Sequence, residues 1–103
     1  MTLCTTIHLH NVCAGREAEY AEWFDGAHRS ALAHLRGFAS ADRYEVANEQ
    51  IMPDIPQPWR FLSVYDFDLP APEIDIPALG PLIATARDAG MIAADETERL
   101  YTY

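Results

Sequence analysis

A chain of 103 residues, half of them hydrophobic and 22% charged, fits one globular domain over 1–103 and excludes a disordered tract. Sixteen acidic against seven basic residues leave a formal net charge of −9, with no basic stripe to displace counterions from nucleic-acid phosphates and a net repulsion from anionic membrane surfaces. The partners expected are a small-molecule substrate and a second copy of the chain, with no nucleic acid and no membrane.

Residues 1–12 lack a basic n-region and alternate apolar with polar side chains, unlike a secretory signal. Residues 2–12 predict a strand, rich in Thr, Ile, Leu and Val and free of Gly and Pro. Cys4 and Cys13 fall near its two ends, roughly 30 Å apart along a strand and too far for a disulfide. A reduced, cytoplasmic protein is expected.

Gly15 breaks this strand, and residues 16–35 predict a helix. At 100° per residue, Tyr20, Phe24, Ala27, Ala31 and Leu35 form its apolar stripe. Gly26 lies inside it and marks either a local irregularity or a close approach. Gly37 ends the helix. Residues 38–47 predict a second strand. Residues 48–58, with three prolines, predict a loop, and Ile51, Met52 and Ile55 make 52–58 a candidate lid at the edge of a pocket.

Residues 59–69 predict the third strand, with Trp59, Phe61, Tyr65 and Phe67 on one side and Leu62 and Val64 on the other. Asp75 is the expected cap of a second helix with Pro77 in its first turn; Gly80-Pro81 is expected to interrupt it, and Gly90 to follow its end. Residues 96–103 predict a final strand. The order strand, helix, strand, strand, helix, strand is the split βαβ plan: α+β, ferredoxin-like, with two helices on one face of a four-stranded antiparallel sheet. Apolar residues on both sides of the third strand predict that a second copy covers the other face.

His8 and His10 alternate by two and share a strand face. Two ligands without a third make no metal signature, and both residues also suit a cavity wall or a dimer seam. No phosphate-binding glycine loop, nucleophile elbow or CxxC is present, so nothing points to a flavin, nicotinamide or nucleotide cofactor, and none is expected. His28 sits on the shoulder of the apolar stripe opposite Trp23. There it suits either a structural hydrogen bond or general acid–base work, and His34 is equally marginal by geometry.

Two stretches carry a family resemblance: Glu22-Trp23-Phe24-Asp25-Gly26-Ala27-His28, and Leu35-Arg36-Gly37-Phe38 running on to Asp42-Arg43-Tyr44. Together with residues 59–68, they resemble the EthD-like group of dimeric α/β-barrel proteins. The likeness covers most of 1–69. Where that group often has an apolar residue and Pro after its His, this chain has Arg29 and Ser30, which implies a more regular helix. Relatives in the superfamily include polyketide cyclases, cofactor-free anthrone monooxygenases, muconolactone isomerase and dehydratase-like EthD proteins.

The resemblance therefore implies a small apolar cavity between sheet and helices. It implies a cofactor-free enzyme working next to a carbonyl, of cyclase, dehydratase, isomerase or oxygenase type, on an aromatic, lactone or polyketide-like molecule. His28 is the expected base, with His10 or Tyr65 donating to the enolate oxygen. Trp23, Phe24, Tyr44, His8 and Trp59 are expected to bind substrate, although each aromatic also suits plain core packing. The alternative is a non-catalytic ligand-binding or accessory protein of a catabolic or biosynthetic pathway.

Overall fold

The structure, a computed structural model, describes residues 2–93 and 97–103. Strand β1 spans Thr2–His10, β2 Phe38–Glu45, β3 Phe61–Leu69 and β4 Arg99–Thr102. They form one antiparallel sheet in the order β2-β3-β1-β4. Helix α1 covers 17–32 and helix α2 covers 72–88. This is the α+β ferredoxin-like arrangement expected from the sequence.

Strand alternation decides what the helices meet. In β1, Cys4, Thr6, His8 and His10 are buried, and in β3 so are Ser63, Tyr65, Phe67 and Leu69. Register sets His10 opposite Phe61, His8 opposite Ser63 and Thr6 opposite Tyr65. On the neighbouring ladder Arg43 stands opposite Ser63 and Ala41 opposite Tyr65. Phe24, Leu32, Leu79 and Ile83 come down from the helices onto this face. Burying a side chain of that size contributes about 1.5–3 kcal/mol.

Helix α1 departs from the regular helix expected over 16–35. It runs α over Glu17–Trp23, widens to a π turn over Phe24–His28, and closes with α over Arg29–Leu32. A π turn carries more residues than an α turn. It therefore re-phases the inward row to Tyr20, Phe24, His28 and Leu32, all buried, while Ala27 is exposed. Gly26 marks this irregularity and not a close approach, because a Cβ built there meets nothing within 4 Å. The helix stops at Leu32, and Gly37, at φ +78°, turns the chain into β2.

Other expectations shift at their ends. β1 stops at His10, and Val12 makes an isolated bridge to Ile92. β2 stops at Glu45, and Trp59 lies outside β3. Asp75 does not cap α2: it ends an α turn over Pro72–Asp75, which continues as 3-10 over Ile76–Ala78 and α over Leu79–Asp88. Gly80-Pro81 does not interrupt the last segment, because Pro81 falls in its first turn, where no i−4 carbonyl is lost. Gly90 follows the helix at φ +76°. Of the expected last strand, Glu96 lies outside the described residues and Arg99–Thr102 is the strand. Cys4 and Cys13 are free thiols. Among the described residues, no helix is long and apolar enough to cross a membrane.

Candidate functional site

A cavity of about 240 Å³ opens between α1 and the β3–β2 side of the sheet. Ala18, Ala21 and Phe61 line it as an apolar wall; His10, Tyr20, Ser63 and Arg43 supply its polar groups, with Glu17, Tyr44, Glu45 and Leu62 completing the lining. That size is slightly below the usual range for drug-sized ligands and suits a molecule of one or two rings.

The bond made by His10 fixes its tautomer. Its Nδ1 lies 3.2 Å from the carbonyl oxygen of His8. A carbonyl only accepts, so Nδ1 carries the proton and Nε2 keeps a bare lone pair. That Nε2 is buried and has no hydrogen-bond partner among the described residues. Leaving such an acceptor unpaired costs about 1–3 kcal/mol. Burial first, then the neighbouring His8, pulls the His10 pKa down to about 4, so the ring is neutral at pH 7.

The other polar groups are held by equally specific contacts. The hydroxyls of Tyr20 and Ser63 share a 3.3 Å hydrogen bond, and burial pushes the Tyr20 phenol up to about 12. Arg43 donates to both carboxylate oxygens of Asp25, at 3.1 and 2.8 Å, and this holds the Asp25 carboxyl below its ordinary range. Asp25 belongs to the π turn, so the turn aims the carboxylate that orients Arg43.

His8 lies beside His10, not in the cavity wall. Their rings stack at 4.1 Å between centroids and 18° between planes. The Nε2–H of His8 donates to Glu98 Oε2 at 2.7 Å, and Arg87 donates to the same oxygen at 2.6 Å. Burial lowers the His8 pKa, partly countered by Glu98.

Four of the expected site residues gather in a second buried cluster. His28 Nε2 and the Tyr65 hydroxyl share a 2.9 Å hydrogen bond. The Trp23 ring stacks on His28 at 4.2 Å, and Phe24 packs against both His28 and Tyr65. Burial lowers the His28 pKa to about 4 and raises the Tyr65 phenol. None of the four lines the cavity beside His10.

Tyr44, half exposed, reaches that cavity's rim, while Trp59 lines an adjoining shallow groove and donates its indole N–H to the Thr97 carbonyl. Ile51, Met52 and Ile55 are exposed and do not line the cavity; they border a separate depression with Gln50 and Gln57. Tyr20, Ser63, Arg43, Asp25 and Glu98 were not singled out from sequence. Ser63 was within reach of it, since it shares strand parity with Phe61 and Tyr65. Among the described residues, no group of three His, Cys, Asp or Glu side chains could hold a metal ion.

No family model matches the sequence, and no curated protein matches it. Solved structures do match the fold. SnoaB, a cofactor-independent oxygenase from Streptomyces nogalater, aligns at TM-score 0.64 and 13% identity over 100% of this chain and 92% of its own. A DABB family protein with a ferredoxin-like fold from Mesorhizobium loti aligns at 0.61 and 15% over 100% and 96%. An EthD family protein from Bacillus halodurans aligns at 0.59 and 9% over 97% of each chain. The chain thus carries the ferredoxin-like α+β fold on which the DABB and EthD structures are built.

Proposed function

We propose that the protein is a cofactor-free enzyme that removes a proton next to a carbonyl of a small aromatic, lactone or polyketide-like molecule. The observation that carries this reading is the bare, buried Nε2 of His10 on a cavity wall that also presents the Tyr20 and Ser63 hydroxyls. His10 takes the proton, and the hydroxyls donate to the developing enolate oxygen. Ala18, Ala21 and Phe61 hold the ring. His28, hydrogen-bonded to Tyr65 and away from this cavity, takes a supporting role in place of the base role expected from sequence. The likeness to SnoaB supports the oxygenase branch of such carbanion chemistry.

The test is proton–deuterium exchange at the α-carbon of small enolisable aryl ketones and lactones in D2O, followed by NMR. The wild type is expected to accelerate exchange, and His10→Ala to lose about 10²–10⁴-fold of the effect. Exchange that persists in His10→Ala ends the assignment of His10.

The low pKa of His10 favours a second reading, in which the cavity binds a ligand without turnover in an accessory protein. Saturable binding of these probes with no exchange selects it. In either case we infer a homodimer through the outer sheet face, where Ile7, Leu9, Leu62 and Val64 are half-buried and Leu3 and Tyr101 exposed. The free thiols of Cys4 and Cys13 support a reduced, cytoplasmic setting for it.

A further inference from the structure

We propose that Glu98 is a positioning residue that fixes the tautomer and orientation of the His8 ring and, through that stacked ring, tunes His10 as a base. The proposal adds a residue to the proposed site and rests on the reading of His10 as its base.

Three contacts make the chain of influence. Glu98 Oε2 accepts the Nε2–H of His8 at 2.7 Å, which leaves His8 Nδ1 a bare lone pair, buried and without a hydrogen-bond partner among the described residues. The oriented His8 ring lies flat against His10 at 4.1 Å. The His8 carbonyl accepts from His10 Nδ1 at 3.2 Å, which leaves Nε2 as the bare nitrogen of a ring that borders the cavity. The carboxylate acts on ring orientation through contact and on charge through space.

The charge effect matters when His10 accepts a proton. A cation forms against a neutral imidazole, and two adjacent protonated rings would repel. The Glu98 carboxylate favours that cation. Arg87 on α2, donating to Glu98 at 2.6 Å, partly offsets the carboxylate and keeps it ionised. Among the described residues, the other titratable and charged groups lining the cavity with His10 are Tyr20 and Glu17 on α1 and Arg43, Tyr44 and Glu45 on β2. Of these carboxylates, Glu45 is paired with Arg60. Glu98 is thus the carboxylate joined to the histidine pair by a direct bond among the described residues.

The experiment reads nitrogen-15 imidazole spectra of the wild type, Glu98→Gln and Glu98→Ala, with tautomers at pH 7.5 and the His10 midpoint on acidification. Gln keeps an oxygen acceptor for His8 and removes the charge. Its tautomers are expected to stay as in wild type while the His10 midpoint falls, by about one unit or less. Ala removes both, so His8 is expected to populate mixed tautomers and the His10 midpoint to fall at least as far as in Gln, while His10, held by the His8 carbonyl, keeps its own tautomer. Wild-type tautomers and midpoint in both variants overturn the proposal. If Glu98→Ala does not fold, the midpoint in Glu98→Gln decides alone. These spectra need no substrate, so absence of exchange activity would overturn the proposed reaction and leave this result standing.

Discussion

His8 and His10, two residues apart on β1, lie ring against ring at 4.1 Å, each with one nitrogen bonded and one bare. Alternation puts them on one face, and the buried side of the sheet denies both bare nitrogens water. Two buried imidazoles in contact stay neutral together more easily than charged together.

Acid should therefore unfold this protein from an unusually high pH. The folded pKa values of His10 and His28 are near 4, below the ordinary 6.5, and that of His8 is also lowered. Above pH 6.5 folded and unfolded chains are both neutral at these sites. Between 6.5 and 4 the unfolded chain binds protons that the folded chain does not, so stability falls throughout that window. His10 and His28 are each worth up to roughly 3 kcal/mol by pH 4, and His8 adds in the same direction. Chemical denaturation at pH 7.5, 6, 5 and 4.5 checks this; a flat midpoint across the series contradicts it.

Substitutions in the two histidine clusters should part chemistry from packing. His28→Ala removes a buried ring stacked on Trp23 and a hydrogen bond of the Tyr65 hydroxyl. It is expected to cost about 2–4 kcal/mol of stability while leaving exchange within a few-fold per folded molecule. His10→Ala removes an atom that already lacks a partner, so exchange should suffer more than the fold. Calorimetry and exchange rates on both variants measure the contrast, and an exchange loss in His28→Ala equal to that in His10→Ala would restore His28 as the base.

Two glycines should respond oppositely to alanine. At Gly37, with φ +78°, a Cβ would stand 2.4 Å from the Asp68 carbonyl oxygen, so Gly37→Ala is expected to cost well over about 1 kcal/mol. At Gly26 the space is open, and Gly26→Ala should stabilise by about 0.5–1 kcal/mol through helix propensity. Thermal melts of the two variants settle both signs.

Light scattering should give twice the chain mass at micromolar concentration. Leu9→Asp, on the outer face, should give the monomer mass without loss of helical circular dichroism. A monomeric wild type removes the dimer proposal.

The order of elements was legible in residue types alone. Branched and aromatic runs marked the strands, and Gly15, Gly37 and Gly90 marked boundaries, because period and turn chemistry are local properties. Strand parity also showed that His8 and His10 share a face. Which face, and beside what, depended on pairing register between distant segments, His8 with Ser63 and Ser63 in turn with Arg43, and that brought Ser63 and Arg43 into line with His8.

A π turn was not legible. Regular 100° spacing leaves His28 on a shoulder, and only the widened turn drives it onto Tyr65, away from the cavity. The partnership of Glu98 with His8 spans ninety residues and arises because β4 pairs with β1, which no local pattern encodes. Local physics determined the elements of this protein; long-range pairing and one irregular helical turn decided which of its histidines meets the cavity.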